Sequence, residues 1–196
     1  MAAFIVLYDA NVLYPAELRN FLMHLALVGV FGARWSAEIH EEWIGNLLAN
    51  RPDLTREKLD RTRLLMDKAA PHALVTGYEH LIPELRLPDP NDRHVLAAAI
   101  QAGASVIVTC NLADFPSHIL EAFDIEAQHP DEFILHLLDI APGLVIEAAE
   151  NHRKSLKNPP KTKEEYIAGL ELQGLVRTAA TLREFFADGE MTDPNE

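Results

Sequence analysis

The sequence predicts a three-layer α/β fold in which helices flank a mainly parallel central sheet. Short apolar runs without polar alternation, typical of strands buried on both faces, alternate with helical patterns over about the first 130 residues. No hairpin signal joins the runs, and the pattern after residue 130 is helical only. We therefore expect one α/β domain over residues 1–130 and a C-terminal helical extension over residues 131–196, ending in an acidic tail.

The clearest strand is the run Phe-Ile-Val-Leu-Tyr at residues 4–8, which ends abruptly at Asp9. The carboxyl ends of parallel strands are where ligand sites form in open α/β sheets, so Asp9 is the first candidate site residue. We expect it to make no helix cap, because it ends a strand. The predicted strands are residues 4–8, 72–76, 105–109 and 125–128.

Capping residues mark most of the predicted helices. Pro15 opens one that Gly29 closes, Ser36 is a plausible N-cap, and the Asp89-Pro90 pair starts an alanine-rich helix that Gly103 ends. Helical spacing of apolar residues indicates the others. The predicted helices are residues 15–29, 36–49, 53–70, 90–102, a turn near 119–120, 131–139, 142–156, 163–172 and 175–187.

Composition limits the function classes. The chain has 196 residues and a net charge of −13, which argues against nucleic-acid binding by the overall field. No run approaches the roughly 18 apolar residues of a membrane span, and the N-terminus lacks the basic region of a signal peptide. We expect a cytoplasmic protein. The single cysteine, Cys110, excludes an internal disulfide and lies where we expect a buried thiol.

Acidic residues recur near one predicted edge of the sheet. Asp9, Asp92 and Asp114 follow strands or begin the next helix, and a fourth acid can come from Glu38 or Glu42, which share one helix face. Converging carboxylates repel each other unless a cation binds among them, and hard oxygen ligands favour Mg²⁺ or Mn²⁺. Metal-activated attack of water on a phosphodiester is the chemistry that such a set supports.

Simpler explanations exist for most of these acids. Asp92 and Asp114 fit helix N-terminal positions, and Glu38 and Glu42 are ordinary acids of an amphipathic helix. His94, beside Asp92, is more often a packed or capping residue, and we leave it out of the catalytic set. The joint order of all the acids is much harder to obtain by chance.

Four segments together resemble the PIN domain, a metal-dependent ribonuclease fold, and especially the VapC-like toxins of toxin–antitoxin pairs. The resemblance covers roughly the first two-thirds of the chain and rests on Tyr8-Asp-Ala-Asn-Val-Leu-Tyr14, Ser36-Ala-Glu-Ile-His-Glu-Glu-Trp43, Asp89-Pro-Asn-Asp-Arg-His-Val-Leu-Ala-Ala-Ala99 and Thr109-Cys-Asn-Leu-Ala-Asp-Phe-Pro116.

The resemblance implies a site and partners. It places the four acids on Asp9, Glu42, Asp92 and Asp114, with Glu38 as the alternative to Glu42, and supporting roles on Asn11, Thr109 and Asn111. It also implies a strand order near 3-2-1-4-5, bound Mg²⁺ or Mn²⁺, an RNA substrate, a cognate antitoxin and frequent homodimers. The basic stretch at residues 153–163 is either an RNA contact or a solvated helix end and linker.

Two other functions remain open. An aspartate-nucleophile phosphohydrolase also places an aspartate after its first strand, but its second aspartate is Asn11 here, which cannot act as the general acid or base. A catalytically silent RNA-binding or protein-binding module would gain nothing from clustered, repelling carboxylates.

Overall fold

The computed structural model describes residues 4–188 and contains one five-stranded sheet. All four strand pairings are parallel, and the spatial order is β3-β2-β1-β4-β5. Both the parallel sheet and the strand order implied by the resemblance are confirmed. The strands are β1 (Phe4–Tyr8), β2 (Phe31–Ser36), β3 (Leu74–Val75), β4 (Val106–Val108) and β5 (Glu126–Gln128).

Helices cover the sheet and form the whole C-terminal part of residues 4–188. Except for the first, short helix, which was not predicted, their bounds agree with the predicted ones to within a few residues, close to the usual uncertainty of helix ends. They are α1 (Ala10–Leu13), α2 (Ala16–Leu27), α3 (Ala37–Asn50), α4 (Arg56–Ala69), α5 (Arg93–Ala102), α6 (Ser117–Leu120), α7 (Pro130–Ile140), α8 (Pro142–Ser155), α9 (Lys163–Leu172) and α10 (Val176–Asp188).

Strand β2 is missing from the sequence prediction. Its buried residues alternate with half-buried Gly32 and Arg34, and a glycine beside an arginine weakens the strand pattern. The glycine has a packing reason. A Cβ on Gly32 would lie 2.8 Å from Cδ1 of Ile5 on the neighbouring strand, so a larger residue there would require the Ile5 side chain to shift.

Strand β1 lies at the centre of the sheet, between β2 and β4. Val6, Leu7 and Tyr8 are fully buried, as expected for a strand covered on both faces. The Asp9 backbone N–H donates to the Val108 carbonyl at 3.1 Å, which extends the β1–β4 ladder to the carboxyl edge of the sheet. The fold therefore presents the Asp9 side chain at that edge.

The helices after residue 130 pack on α2 rather than standing apart from the sheet domain. The apolar stripe of α2, Leu18, Phe21, Leu22 and Leu25, is buried, and the His152 ring of α8 stacks on Phe21 with centroids 5.6 Å apart. The Lys161 Nζ donates to the Glu17 carboxylate at 2.7 Å across the same junction. This stripe is therefore part of the core.

The predicted burial of Cys110 is wrong, and most of the predicted acidic tail lies outside the residues that the structure describes. Cys110 is exposed, because β4 ends at Val108 and the cysteine falls in the loop beyond it. The predicted acidic tail, apart from Asp188, lies outside the described residues. No helix within residues 4–188 is long and apolar enough to cross a membrane.

Candidate active site

Asp9 is held in place by three donors. One carboxylate oxygen, Oδ1, accepts from the Ala10 backbone N–H at 2.7 Å. The other, Oδ2, accepts from Asn11 Nδ2 at 2.6 Å and from the Thr109 hydroxyl at 2.8 Å. The expectation that Asp9 makes no cap is therefore wrong, because the chain turns directly from β1 into α1 and Asp9 caps that helix.

Two side chains predicted to support the site join the ends of β1 and β4. The Thr109 hydroxyl donates to Asp9 and accepts from Asn11 Nδ2 at 2.9 Å and from the Asn111 backbone N–H at 3.0 Å. The side-chain oxygen of Asn11, Oδ1, accepts from the Cys110 backbone N–H at 2.9 Å. Thr109 and Asn11 thus fix the Asp9 carboxylate, whereas Asn111 contributes its backbone here and its side chain is exposed.

The pKa of Asp92 is raised by burial and by the charges of neighbouring acids. Burial raises its pKa most, and the charges of Asp9, Asp89, Asp114 and Glu42 raise it further, to about 7. The pKa of Asp9 is raised to about 6, first by burial and against the lowering effect of its hydrogen bonds. Electrostatic coupling of this kind falls off with distance, so Asp9, Asp89, Asp114 and Glu42 lie near Asp92.

Capping explains Asp89 but not Asp92 or Asp114. The Asp89 side chain accepts from the Asn91 N–H at 2.8 Å and starts the 3₁₀ turn Pro90–Asp92. Asp92 makes no side-chain cap for α5, and Asn111 makes none for the turn Leu112–Asp114. Asp92 and Asp114, both half-buried, keep the first-turn positions predicted for them but are not N-caps with a side-chain hydrogen bond.

The three acids of α3 have different surroundings. Glu41 points away from the site and binds the Arg56 guanidinium at 2.7 Å. Glu38 accepts from the Tyr78 hydroxyl at 3.4 Å. Glu42 is the α3 acid whose charge raises the pKa of both Asp9 and Asp92, so it faces the other acids more closely.

The donor set fits a hard divalent cation in chemistry, since all four candidate ligands are carboxylates. Its geometry is open. Among residues 4–188, no three His, Cys, Asp or Glu side chains lie close enough together to form a ready-made metal centre. A metal centre at this edge would therefore require the carboxylates to move closer together.

Comparison with known proteins identifies the family of the chain. Residues 5–113, more than half of the chain, match the family model of the PIN domain. The chain belongs to the PIN-domain family. The matched part includes three of the four acids and the three supporting residues: Asp9, Glu42, Asp92, Asn11, Thr109 and Asn111. Asp114 lies one residue beyond it.

The part of the chain beyond the PIN domain also has relatives. Residues 130–184 match the model of the VapC50 C-terminal domain. A Mycobacterium tuberculosis protein named "Putative ribonuclease VapC50" is 36% identical over 125 residues, which are 62% of this chain and 73% of that protein. No solved structure matches the chain significantly.

His94 is the residue that sequence reasoning missed. It is buried in the first turn of α5, with Nε2 at 3.4 Å from a Glu42 oxygen and Nδ1 at 3.8 Å from a Glu38 oxygen. Its position two residues after Asp92 was visible in the sequence. The sequence did not show that α5 lies against α3, because that contact depends on the tertiary fold.

Proposed function

We propose that the chain is a metal-dependent endoribonuclease that hydrolyses RNA phosphodiester bonds and acts as the toxin of a toxin–antitoxin pair. The observation that carries this proposal is the Asp9 carboxylate, fixed at the carboxyl edge of the sheet by Thr109 and Asn11. The charges of Asp9, Asp89, Asp114 and Glu42 also raise the pKa of the nearby Asp92. Burial alone explains one perturbed acid. Mutual repulsion among four requires a compensating positive charge for function.

In this proposal the chain's own groups orient the cation and the substrate. Asp9, Glu42, Asp92 and Asp114 would hold Mg²⁺ or Mn²⁺, with Asp9 kept rigid by Thr109 and Asn11. When bound, such a cation offsets the negative charge of a phosphodiester and makes water a stronger nucleophile. Without one, the acids would repel an RNA backbone.

The surface charge supports recognition at the cleft rather than by the whole surface. Several basic side chains are already paired, including Arg56 with Glu41 and Arg153 with Glu150. Lys161 binds Glu17 at 2.7 Å. This pairing favours the structural explanation of the stretch at residues 153–163, and we expect an unpaired RNA loop to be bound mainly at the acid site.

The relative's name and the family support the remaining proposals. We expect a cognate antitoxin that covers the cleft, and homodimers, in a cytoplasmic setting. We also propose residues 1–130 as the nuclease domain and 131–196 as the helical extension. The matched models, 5–113 and 130–184, are compatible with a boundary near residue 130.

The phosphohydrolase alternative loses support from the position of Asn11. Its Nδ2 donates to Asp9 and Thr109, and its oxygen accepts from the Cys110 N–H, so its amide is fully used in holding the site. It neither titrates nor faces free space. A nucleophilic role for Asp9 is also disfavoured, because both its oxygens accept hydrogen bonds.

The test compares the two reaction classes directly. Purified protein, free of co-purified inhibitor, is incubated with a pool of structured cellular RNAs and separately with a phosphomonoester, in Mg²⁺, in Mn²⁺ and in EDTA. We expect metal-dependent RNA cleavage that Asp9→Asn abolishes, and no phosphomonoester hydrolysis. Hydrolysis of the monoester alone would contradict the proposal.

A further inference from the structure

His94 lies between two acids that the sequence alone could not distinguish. It is 7% exposed, and its two ring nitrogens face Glu42 and Glu38, which are one helical turn apart on α3. The Nδ1 atom has no hydrogen-bond partner within the described residues. Contacts between catalytic groups are often long in a ligand-free site and shorten when it is loaded, so 3.4 Å to Glu42 is compatible with a working hydrogen bond.

The surroundings of the two acids differ. The Glu38 carboxylate accepts a hydrogen bond from the Tyr78 hydroxyl at 3.4 Å, and its charge is not among those that raise the pKa of Asp92. Glu42 receives no side-chain donor other than His94 within residues 4–188, and its charge acts on Asp9 and Asp92. The histidine therefore contacts one anchored acid and one acid that faces the site.

We propose that His94 is a positioning residue that holds Glu42 toward Asp9 and Asp92 through its Nε2, while Glu38, 3.8 Å from Nδ1 on the other side of the ring, binds no metal. This inference rests on the proposed function, since it assumes that the four acids hold a cation. Partners of this kind orient a ligand rather than bind the metal, and their removal typically weakens metal binding by about 10–100-fold.

The experiment uses the geometry of the imidazole. A glutamine amide nitrogen reaches about as far as Nε2, and an asparagine amide nitrogen reaches only as far as Nδ1. The full-length chain, as His94→Gln and as His94→Asn, is titrated with Mn²⁺, and free Mn²⁺ is followed by electron paramagnetic resonance. Glu38→Gln and Glu42→Gln are titrated beside them, because both acids are exposed and their substitution leaves the core intact.

We expect His94→Gln to bind Mn²⁺ within about threefold of the wild type and His94→Asn to bind at least about tenfold more weakly. Glu42→Gln should weaken binding much more than Glu38→Gln. Thermal unfolding in EDTA should be similar for the two histidine variants, so that a difference in Mn²⁺ affinity reflects positioning rather than folding.

The outcomes separate this inference from the proposed function. Equal Mn²⁺ affinity of His94→Asn and the wild type, equal losses in the Gln and Asn variants, or equal losses at Glu38 and Glu42 would each overturn it while leaving the metal site in place. Absence of Mn²⁺ binding by the wild type, or unchanged binding by Asp92→Asn, would overturn the proposed site as well.

Discussion

At the scale of single residues, the site depends on a carboxylate that cannot move. Asp9 is 4% exposed and accepts three hydrogen bonds, two of them at the same oxygen. Burial raises its pKa to about 6, while the Thr109 and Ala10 donors act in the opposite direction. The cost of burying this acid is thus partly offset by the groups that orient it.

Thr109→Val removes the hydroxyl that donates to Asp9 and accepts from Asn11 and the Asn111 backbone. Because buried polar partners are left unpaired, we expect the free energy of unfolding to fall by about 1–3 kcal/mol, measured by urea denaturation. RNA cleavage should fall at least tenfold. Thr109→Ser keeps the hydroxyl and serves as the control, and a Val variant as stable as the Ser variant would contradict the hydrogen-bonding role.

Sequence reasoning reached these residues unevenly. Asp9 was found because a buried strand ending on an acid is a strong local signal, yet its capping role was missed, since α1 is only one turn long. His94 was missed because its contacts with Glu38 and Glu42 join α5 to α3. Local pattern identifies candidate residues, whereas contacts between elements decide their roles.

At the scale of elements, strand prediction was least reliable where a strand lacks a continuous apolar sequence pattern and is held by its neighbours in the sheet. Strand β2 has a glycine and an arginine on its half-buried face, and β3 is only two residues long. Most helices were predictable because capping depends on residues close together in the sequence. Ser36, for example, accepts from the Ile39 N–H at 3.1 Å.

The junction between α2 and the C-terminal helices should contribute strongly to stability. Phe21 is fully buried and contacts the rings of His152 and Tyr166 at centroid distances of 5.6 and 6.4 Å. We expect Phe21→Ala to lower the free energy of unfolding by about 3–5 kcal/mol in urea denaturation. Leu172→Ala, at a residue that is 86% exposed, is the comparison, with an expected change within about 0.5 kcal/mol. Similar values for both would show that α8 does not pack as described.

The same junction contains a buried histidine that stays neutral. Burial, with the charges of His24 and Lys161, lowers the pKa of His152 to about 4. The unfolded chain, with a histidine pKa near 6.5, binds more protons between these values, so folding stability is lost as the pH falls from about 6.5 to 4.

For this histidine the loss is on the order of 3 kcal/mol. Urea denaturation at pH 7 and pH 4.5 checks it against His152→Asn, which keeps a polar group near Tyr166 but does not titrate. We expect the wild type to lose more stability than the variant over this interval. Parallel losses in the two proteins would contradict a neutral, buried His152.

At the scale of the whole molecule, both the acidic surface and the acidic residues of the candidate site repel RNA. A net charge of −13 repels RNA at long range, and arginines such as Arg56 and Arg63 are engaged by Glu41. Binding of a divalent cation is therefore the most direct way for this chain to attract a phosphodiester to the carboxyl edge of its sheet.

The most direct measurement is Mg²⁺-dependent RNA cleavage by the wild type, Asp92→Asn and Asp89→Asn. These two acids lie in the same turn. The Asp89 side chain caps it by accepting from the Asn91 N–H, a role that asparagine can fill, whereas burial and the neighbouring acids raise the pKa of Asp92. We predict that Asp92→Asn loses cleavage at least a hundredfold and that Asp89→Asn stays within a few-fold of the wild type. Retained cleavage by Asp92→Asn, or equal loss in both variants, would contradict the assignment of the four-carboxylate site.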